Sequence, residues 1–387
     1  MKKTLRSLLF INLFFLQSYL IRFNIGGFPT NLQEILIGLN FIPLFVLIVK
    51  KEIKLKFPKI LAIFLVLFIT GSLSAQIYDL RFFLSYWKFF IFASTLIFIF
   101  IHTLQTEQQK EEGLKYYTYG VIAFGLFSII FNLSGHNVTF DHRLTGPLDS
   151  AVYLGVYIVP ALLFNFTKFI NTLKKPYFKN RYLIFTILLG ILLLLTKSMG
   201  AITAASAVSF IFLLKKFGKK LFDSKLKILI LSILFIALSS VVFYTKILPT
   251  INTTWSSLDE RNEIYITSKY LLKESKNFIF GLGPAQFQYH YENNVEKAIN
   301  NKALDYKVLQ PHNIFFLFIF NYGILGLSTL FVLIFYTAKT IIRNKADSFK
   351  LVSGIIVCYF FIHGLLDTPF MKNDLLFLFL LFLEEEI

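Results

Sequence analysis

His312 stands where a long polar stretch meets an apolar one, between Pro311 and Asn313. An imidazole there can take a proton from a hydroxyl or orient it, because the group ordinarily titrates near neutral pH. Four cations have a context that suggests anion binding. Arg143 sits in Asp141-His-Arg-Leu-Thr-Gly-Pro147, and Arg261 falls in the first turns of a polar helix. Arg81 precedes an apolar segment that carries Lys88 two turns further in. A guanidinium keeps its charge and grips phosphate oxygens in a two-pronged fork. At the rim of a membrane such groups suit a lipid pyrophosphate. Each residue also has a plainer role. The arginines can snorkel to headgroups, Lys88 needs a partner if it lies within the bilayer, and His312 can satisfy backbone groups at a helix start.

Other chemistries lack their residues. No Walker A pattern, GxGxxG after a strand, CxxC or HExxH occurs, and no Asp-x-Asp pair suits a metal-bound sugar nucleotide. His136 and His142 near Asp141 have no diagnostic metal spacing. The expectation is therefore no metal and no cofactor. His290 and His363 read as structural, and His102 falls on the opposite side of the chain from His312. The single cysteine, Cys358, excludes an intrachain disulfide.

The elements that must position these groups are membrane helices. Of 387 residues, 56% are hydrophobic and only 16% charged, against roughly a quarter charged in soluble domains. Twelve apolar segments are expected: 7–21, 31–49, 59–75, 82–101, 115–133, 150–167, 182–196, 199–214, 227–245, 313–338, 350–366 and 374–383. In lipid each must be helical to satisfy its own backbone. The first and last are the weakest, and the seventh and eighth form a tight hairpin. The N-terminus resembles a signal peptide but lacks a small-residue cleavage site, so it reads as a retained span.

Sidedness follows from the basic residues. With the N-terminus inside, the inner connections hold 25 Lys and Arg, and the short outer ones hold one each: Arg22, Arg81, Arg143, Lys197 and Lys372. This is a strong positive-inside bias. The net charge of +17 thus faces anionic lipid and is not a nucleic-acid footprint. Both termini are expected in the cytoplasm.

One long hydrophilic stretch, 246–312, lies outside, with 8 basic and 7 acidic residues. Ser257 and Glu260 form a capping-box pattern that starts a helix near Leu258. Asn277 and Gly281-Leu-Gly-Pro284 stop it, and a second helix is expected over about 292–303. A loop of this length carrying helices is usually functional, although it could be a structural cap. The chain thus divides into 1–245, the loop 246–312, and 313–387. Asn321-Tyr-Gly-Ile-Leu-Gly326 in the tenth span reads as close helix packing through small residues.

Together these stretches resemble the O-antigen ligase and polymerase superfamily of bacterial envelope glycan assembly. The resemblance rests on Arg143-Leu-Thr-Gly146, on Thr196-Lys-Ser-Met-Gly-Ala201 at the hairpin, on Arg261 followed by Phe278-Ile-Phe-Gly-Leu-Gly283, and on His312-Asn313 running into Tyr322-Gly-Ile-Leu-Gly-Leu327. Met199 stands where the family often has Arg, and Lys197 can replace that charge. An Asn common in the family is absent from Asp149-Ser-Ala151.

The resemblance implies an all-α polytopic fold of about 12 transmembrane helices, similar to the GT-C glycosyltransferases, in the bacterial inner membrane with the long loop periplasmic. It implies a glycan donor on undecaprenyl pyrophosphate and an acceptor that is either a second lipid-linked repeat unit or lipid A-core. His312, Arg261 and Arg143 would be catalytic; Arg81, Lys88, Lys197 and Asn313 would bind substrate. A chain-length regulator is a further expected partner. A polymerase is favoured over a ligase because the outer loop is nearly neutral, whereas lipid A-core is densely phosphorylated. Rival readings are a flippase for lipid-linked sugars and a structural scaffold.

Overall fold

The computed structural model describes all residues except 26–27, 75, 137–142, 174–180, 222–256, 369 and 387. The ninth expected segment, 227–245, and the start of the long loop lie outside the described residues.

The described chain is helical apart from one short hairpin of strands. In order, the helices are α1 (Lys2–Phe14), α2 (Leu32–Val49), α3 (Lys59–Ser74), α4 (Leu80–Thr103), α5 (Glu107–Leu133), α6 (Ala151–Asn171), α7 (Arg181–Leu195) and α8 (Met199–Leu221). The long loop contributes α9 (Ser257–Leu271), α10 (Ser275–Phe280) and α11 (Phe287–Ile299). The chain ends with α12 (Ile314–Arg343), α13 (Phe349–Gly364) and α14 (Asn373–Glu384). Strands β1 (Arg22–Ile25) and β2 (Phe28–Asn31) pair antiparallel, with Arg22 opposite Asn31.

Every apolar segment expected among the described residues coincides with a helix. Six are long and apolar enough to cross a membrane: α2, α4, α5, α6, most of α8, and α12; α3, α7 and α13 are shorter apolar helices. Several ends differ from expectation: α8 runs to Leu221 and α12 to Arg343, past the expected 214 and 338. Helix α5 starts at Glu107, eight residues before the apolar run. There Thr106 and Gln109 form a capping box, so two polar turns extend the helix beyond the apolar slab. The first expected span is split: α1 stops at Phe14 and a 3-10 turn, Leu16–Leu20, leads into β1.

The last helix is short for a reason the fold supplies. Leu375 to Leu383 are all 2% exposed or less, and α14 packs against α3, α4, α6 and α13. A helix enclosed by others need not match the bilayer thickness. Around this centre, large apolar side chains face outward, among them Leu73, Leu133 and Phe335. Such a belt suits hydrocarbon rather than water.

The helix ends gather in two layers, as the alternation of connections requires. In one layer the side chain of Gln286 accepts from the backbone N–H groups of Tyr78 and Asp79 at 2.9 and 3.1 Å, and Leu144 N–H donates to Leu195 at 3.1 Å. In the other, Arg6 pairs with Glu112, Lys168 with Glu111, and Lys110 with Glu385. The first layer holds the groups assigned to the outer face.

Helix α12 is broken at Gly323, whose φ of 63° and ψ of −155° are not helical. The close packing expected of Asn321–Gly326 is present, but it is achieved by interrupting the helix. The break frees the Phe320 carbonyl, which accepts from Leu282 and Gly283 N–H at 2.6 and 3.0 Å. A Cβ on Gly323 would overlap the Ile279 carbonyl, and one on Gly71 of α3 would overlap that of Asn321. The Gly281-Leu-Gly283 turn of the loop thus plugs a gap in a membrane helix. Ile319 and Phe320 of α12 join Ile264, Leu271, Phe287 and Val295 in a small second core. This fastens the loop helices to the bundle.

Candidate active site

His312 precedes α12 in a left-handed conformation, φ 48°, a region costly for a residue with a Cβ. Asn313 follows as the N-cap. Its side-chain oxygen accepts from Phe315 N–H at 2.9 Å and its amide donates to the Leu365 carbonyl at 3.3 Å. Asn313 is thereby engaged in starting the helix and tying it to the end of α13.

His312 Nδ1 lies 2.9 Å from Asp367 Oδ1. The same carboxyl oxygen accepts from Thr368 N–H at 2.7 Å. Burial opposes the charge of Asp367, but the hydrogen bond and charge of His312, with the charges of His363 and Arg261, hold its pKa below the ordinary carboxylate value. The carboxylate is therefore an acceptor and faces Nδ1 of His312; in a neutral imidazole with its proton on Nδ1, the lone pair is on Nε2. The chain of contacts continues. Thr368 Oγ donates to Gln310 at 3.1 Å, and Gln310 donates to Tyr86 Oη of α4 at 2.9 Å. This links the loop end, the α13–α14 connection and α4.

His312 and Asp367 open on a cavity of about 190 Å³ under the loop helices. Its wall is acidic: Glu260, Glu263 and Asp305 stand with Asp367 against Lys307 and His312. Burial, and after it the charges of Glu263, Asp305 and Glu260, push up the pKa of Tyr291 in the same wall.

Cations gather beside the cavity. Arg261, half-buried on α9, acts electrostatically on both Asp367 and His363. Lys372 lies 3.9 Å from the centre of the Tyr153 ring, and Tyr153 lines the cavity. Burial lowers the pKa of Lys372, opposed by Asp149 and Asp374.

The remaining residues singled out in the sequence fall elsewhere. Arg143 and Lys197 sit at the α7–α8 hairpin, where Leu144 bonds to Leu195, and neither lines the cavity. The hairpin touches the site indirectly, since a Cβ on Gly200 would lie 3.4 Å from His363 Nε2. Arg81 is exposed on α4; Tyr86, one turn on, is the α4 residue that reaches the network. Lys88 pairs with Glu34 of α2 at 2.7 Å, which supplies the partner an intramembrane lysine needs. His142 lies outside the described residues, and no metal-binding cluster occurs among those described. Asp367 and Lys372 are the groups sequence reasoning missed. The signal for Asp367 was an acid at the outer end of a span, four residues after His363.

Fold and site together define a polytopic helical membrane protein with an imidazole–carboxylate pair under a cap of loop helices. Residues 184–332 match a family model described as O-Antigen ligase. The match spans the hairpin, Arg261 and His312, and it supports the resemblance to the O-antigen ligase and polymerase superfamily. No curated protein matches the chain.

Proposed function

We propose that the protein is a glycosyltransferase that polymerises undecaprenyl-pyrophosphate-linked polysaccharide repeat units at the outer face of the bacterial inner membrane, without metal or nucleotide sugar. In this reading 246–312 is an extracytoplasmic cap between two groups of membrane helices, 1–245 and 313–387. His312 Nε2 takes the proton of an acceptor hydroxyl. The hydroxyl oxygen attacks the anomeric carbon, the bond to the pyrophosphate oxygen breaks, and its electron pair leaves with undecaprenyl pyrophosphate. Asp367 holds the imidazole in the receptive tautomer and stabilises the imidazolium. Arg261 stabilises the charge growing on the leaving group; Arg143, Lys197 and Lys372 supply further positive charge on the bundle side. Arg81 and Lys88, both on α4, act on the lipid approaching the site.

The observation that carries this reading is the contact of His312 Nδ1 with Asp367 at the cavity under the loop helices, with the charge of Arg261 acting on Asp367. The acidic cavity wall favours the polymerase. Carboxylates accept hydrogen bonds from sugar hydroxyls but repel the phosphates of lipid A-core. The ligase is the second reading, favoured by the description of the matching family. Deletion distinguishes them. Loss of a polymerase leaves core carrying one repeat unit, the expected result. Loss of a ligase leaves bare core, with glycan stranded on its lipid carrier.

A further inference from the structure

A roomy cavity lies at the opposite end of the bundle from His312. It encloses about 690 Å³ between the α2–α3 connection, the end of α4, and the starts of α5 and α13. Five lysines line it: Lys54, Lys56, Lys59, Lys110 and Lys350. A second cavity of about 250 Å³, lined by Lys2, Lys3 and Arg6, shares its wall of Glu52, Ile53, His102 and Gln105.

The wall is a built structure. His102, 4% exposed, uses both ring nitrogens. Nε2 accepts from the backbone N–H of Lys56 at 3.0 Å, and Nδ1 donates to the Phe98 carbonyl at 2.7 Å. Beyond it, Ile60 N–H donates to Glu384 at 2.9 Å. The lysine-bearing connection is thus fixed at its middle and at its end. The acids of the wall are largely engaged: Glu385 pairs with Lys110 at 2.5 Å, and Glu384 holds Ile60. Lys54, Lys56 and Lys350 have no ion-pair partner within 4 Å among the described residues. Phe57, Ile101 and Leu104 give the same cavity an apolar wall.

Unpaired ammonium groups over an apolar wall, at the end of a membrane bundle, match a phosphodiester attached to acyl chains. Basic cavities between membrane helices on the cytoplasmic side hold anionic headgroups for this reason. We propose that this cavity binds the phosphate of an anionic phospholipid, with Lys54, Lys56 and Lys350 on the headgroup and His102 as the residue that positions their loop. The site is separate from the glycan chemistry and does not depend on it.

The test uses the full-length protein, purified in a zwitterionic detergent and titrated with phosphatidylglycerol or phosphatidylcholine while bound lipid is counted by native mass spectrometry. The wild type should prefer phosphatidylglycerol. The triple variant Lys54→Gln, Lys56→Gln, Lys350→Gln should bind it at least about tenfold more weakly, with phosphatidylcholine unchanged. A control variant with Lys216, Lys339 and Lys345 changed to Gln alters the net charge equally and should keep the preference. Equal phosphatidylglycerol binding in wild type and triple variant would overturn the proposal, as would equal losses in triple and control variants. Displacement of the lipid by millimolar inorganic phosphate would assign the cavity to a free phosphate and would also overturn it.

Discussion

His312 and Asp367 are 55 residues apart in sequence and joined by a 2.9 Å contact that decides which imidazole nitrogen can accept a proton. One end of α12 and one end of α13 must meet for that contact to exist. The Asn313 amide on the Leu365 carbonyl brings them together. Replacing Asp367 with Asn keeps the shape but lets Nδ1 become the acceptor. Turnover in Asp367→Asn should fall about 10²-fold, within the range general-base assistance spans. The double variant with His312→Ala should be no worse than His312→Ala alone, because the two residues act as a unit. Additive losses in a kinetic comparison of the three variants would separate them.

Arg261 should be intolerant of lysine. A lysine keeps the charge but presents a point donor in place of the fork. Arg261→Lys is expected to lose about tenfold in turnover and Arg261→Ala about 10²–10³-fold, the scale of removing one donor from a developing anion. The residue is half-buried on a cap helix, so membrane protein levels should not change. Quantified glycan chain length alongside immunoblotting checks both statements.

The lowered pKa of Asp367 fixes the direction of one pH effect. A carboxyl more acidic in the fold than in the unfolded chain contributes stability above its ordinary value. That contribution is lost as pH falls through the lower, folded value. Protection of the cap from proteolysis should therefore be level from about pH 8 to pH 5 and decline below about pH 4. Asp367→Asn should remove the part of this decline that belongs to the pair. If that variant loosens in acid just as the wild type does, another group controls the cap.

Gly323→Ala should destabilise the junction between loop and bundle. The backbone is left-handed there, and the new Cβ would overlap the Ile279 carbonyl. Left-handed strain alone costs on the order of 1–3 kcal/mol, and the overlap adds to it. The expected result is a clear fall in thermal stability in detergent, with the cap cleaved before the membrane helices. Ile324→Ala, next in sequence and 40% exposed, should have little effect.

Much of this was legible in the residues themselves, because apolar runs and flanking lysines respond to one solvent boundary. The positions of α2, α6, α12 and α13 follow from that alone. His312 and Arg261 could be singled out because each stands at a local signal, one at a span boundary and the other in a capped polar helix. Asp367 carried only the weaker signal of an acid at the end of a span, and its pairing with His312 arises only when α12 and α13 pack. The acidity of the cavity was hidden by counting. The loop is nearly neutral as a whole, yet folding segregates Glu260, Glu263 and Asp305 to one wall. Gly323 reads as a packing glycine within a continuous helix; the positive φ that breaks the helix leaves no trace in hydropathy. The pairing of Lys88 with Glu34 was not legible either, because Glu34 lies on another helix.

Transfer by the purified protein tests the central claim most directly. Wild-type protein and His312→Ala are placed in liposomes with a chemically defined undecaprenyl-pyrophosphate-linked repeat unit, with no nucleotide sugar and with a chelator present. The wild type should build a ladder of longer lipid-linked glycans and release one undecaprenyl pyrophosphate per bond formed, while His312→Ala should leave the monomer nearly untouched. A full ladder from His312→Ala, or none from well-folded wild type supplied with its own repeat unit, would contradict the account.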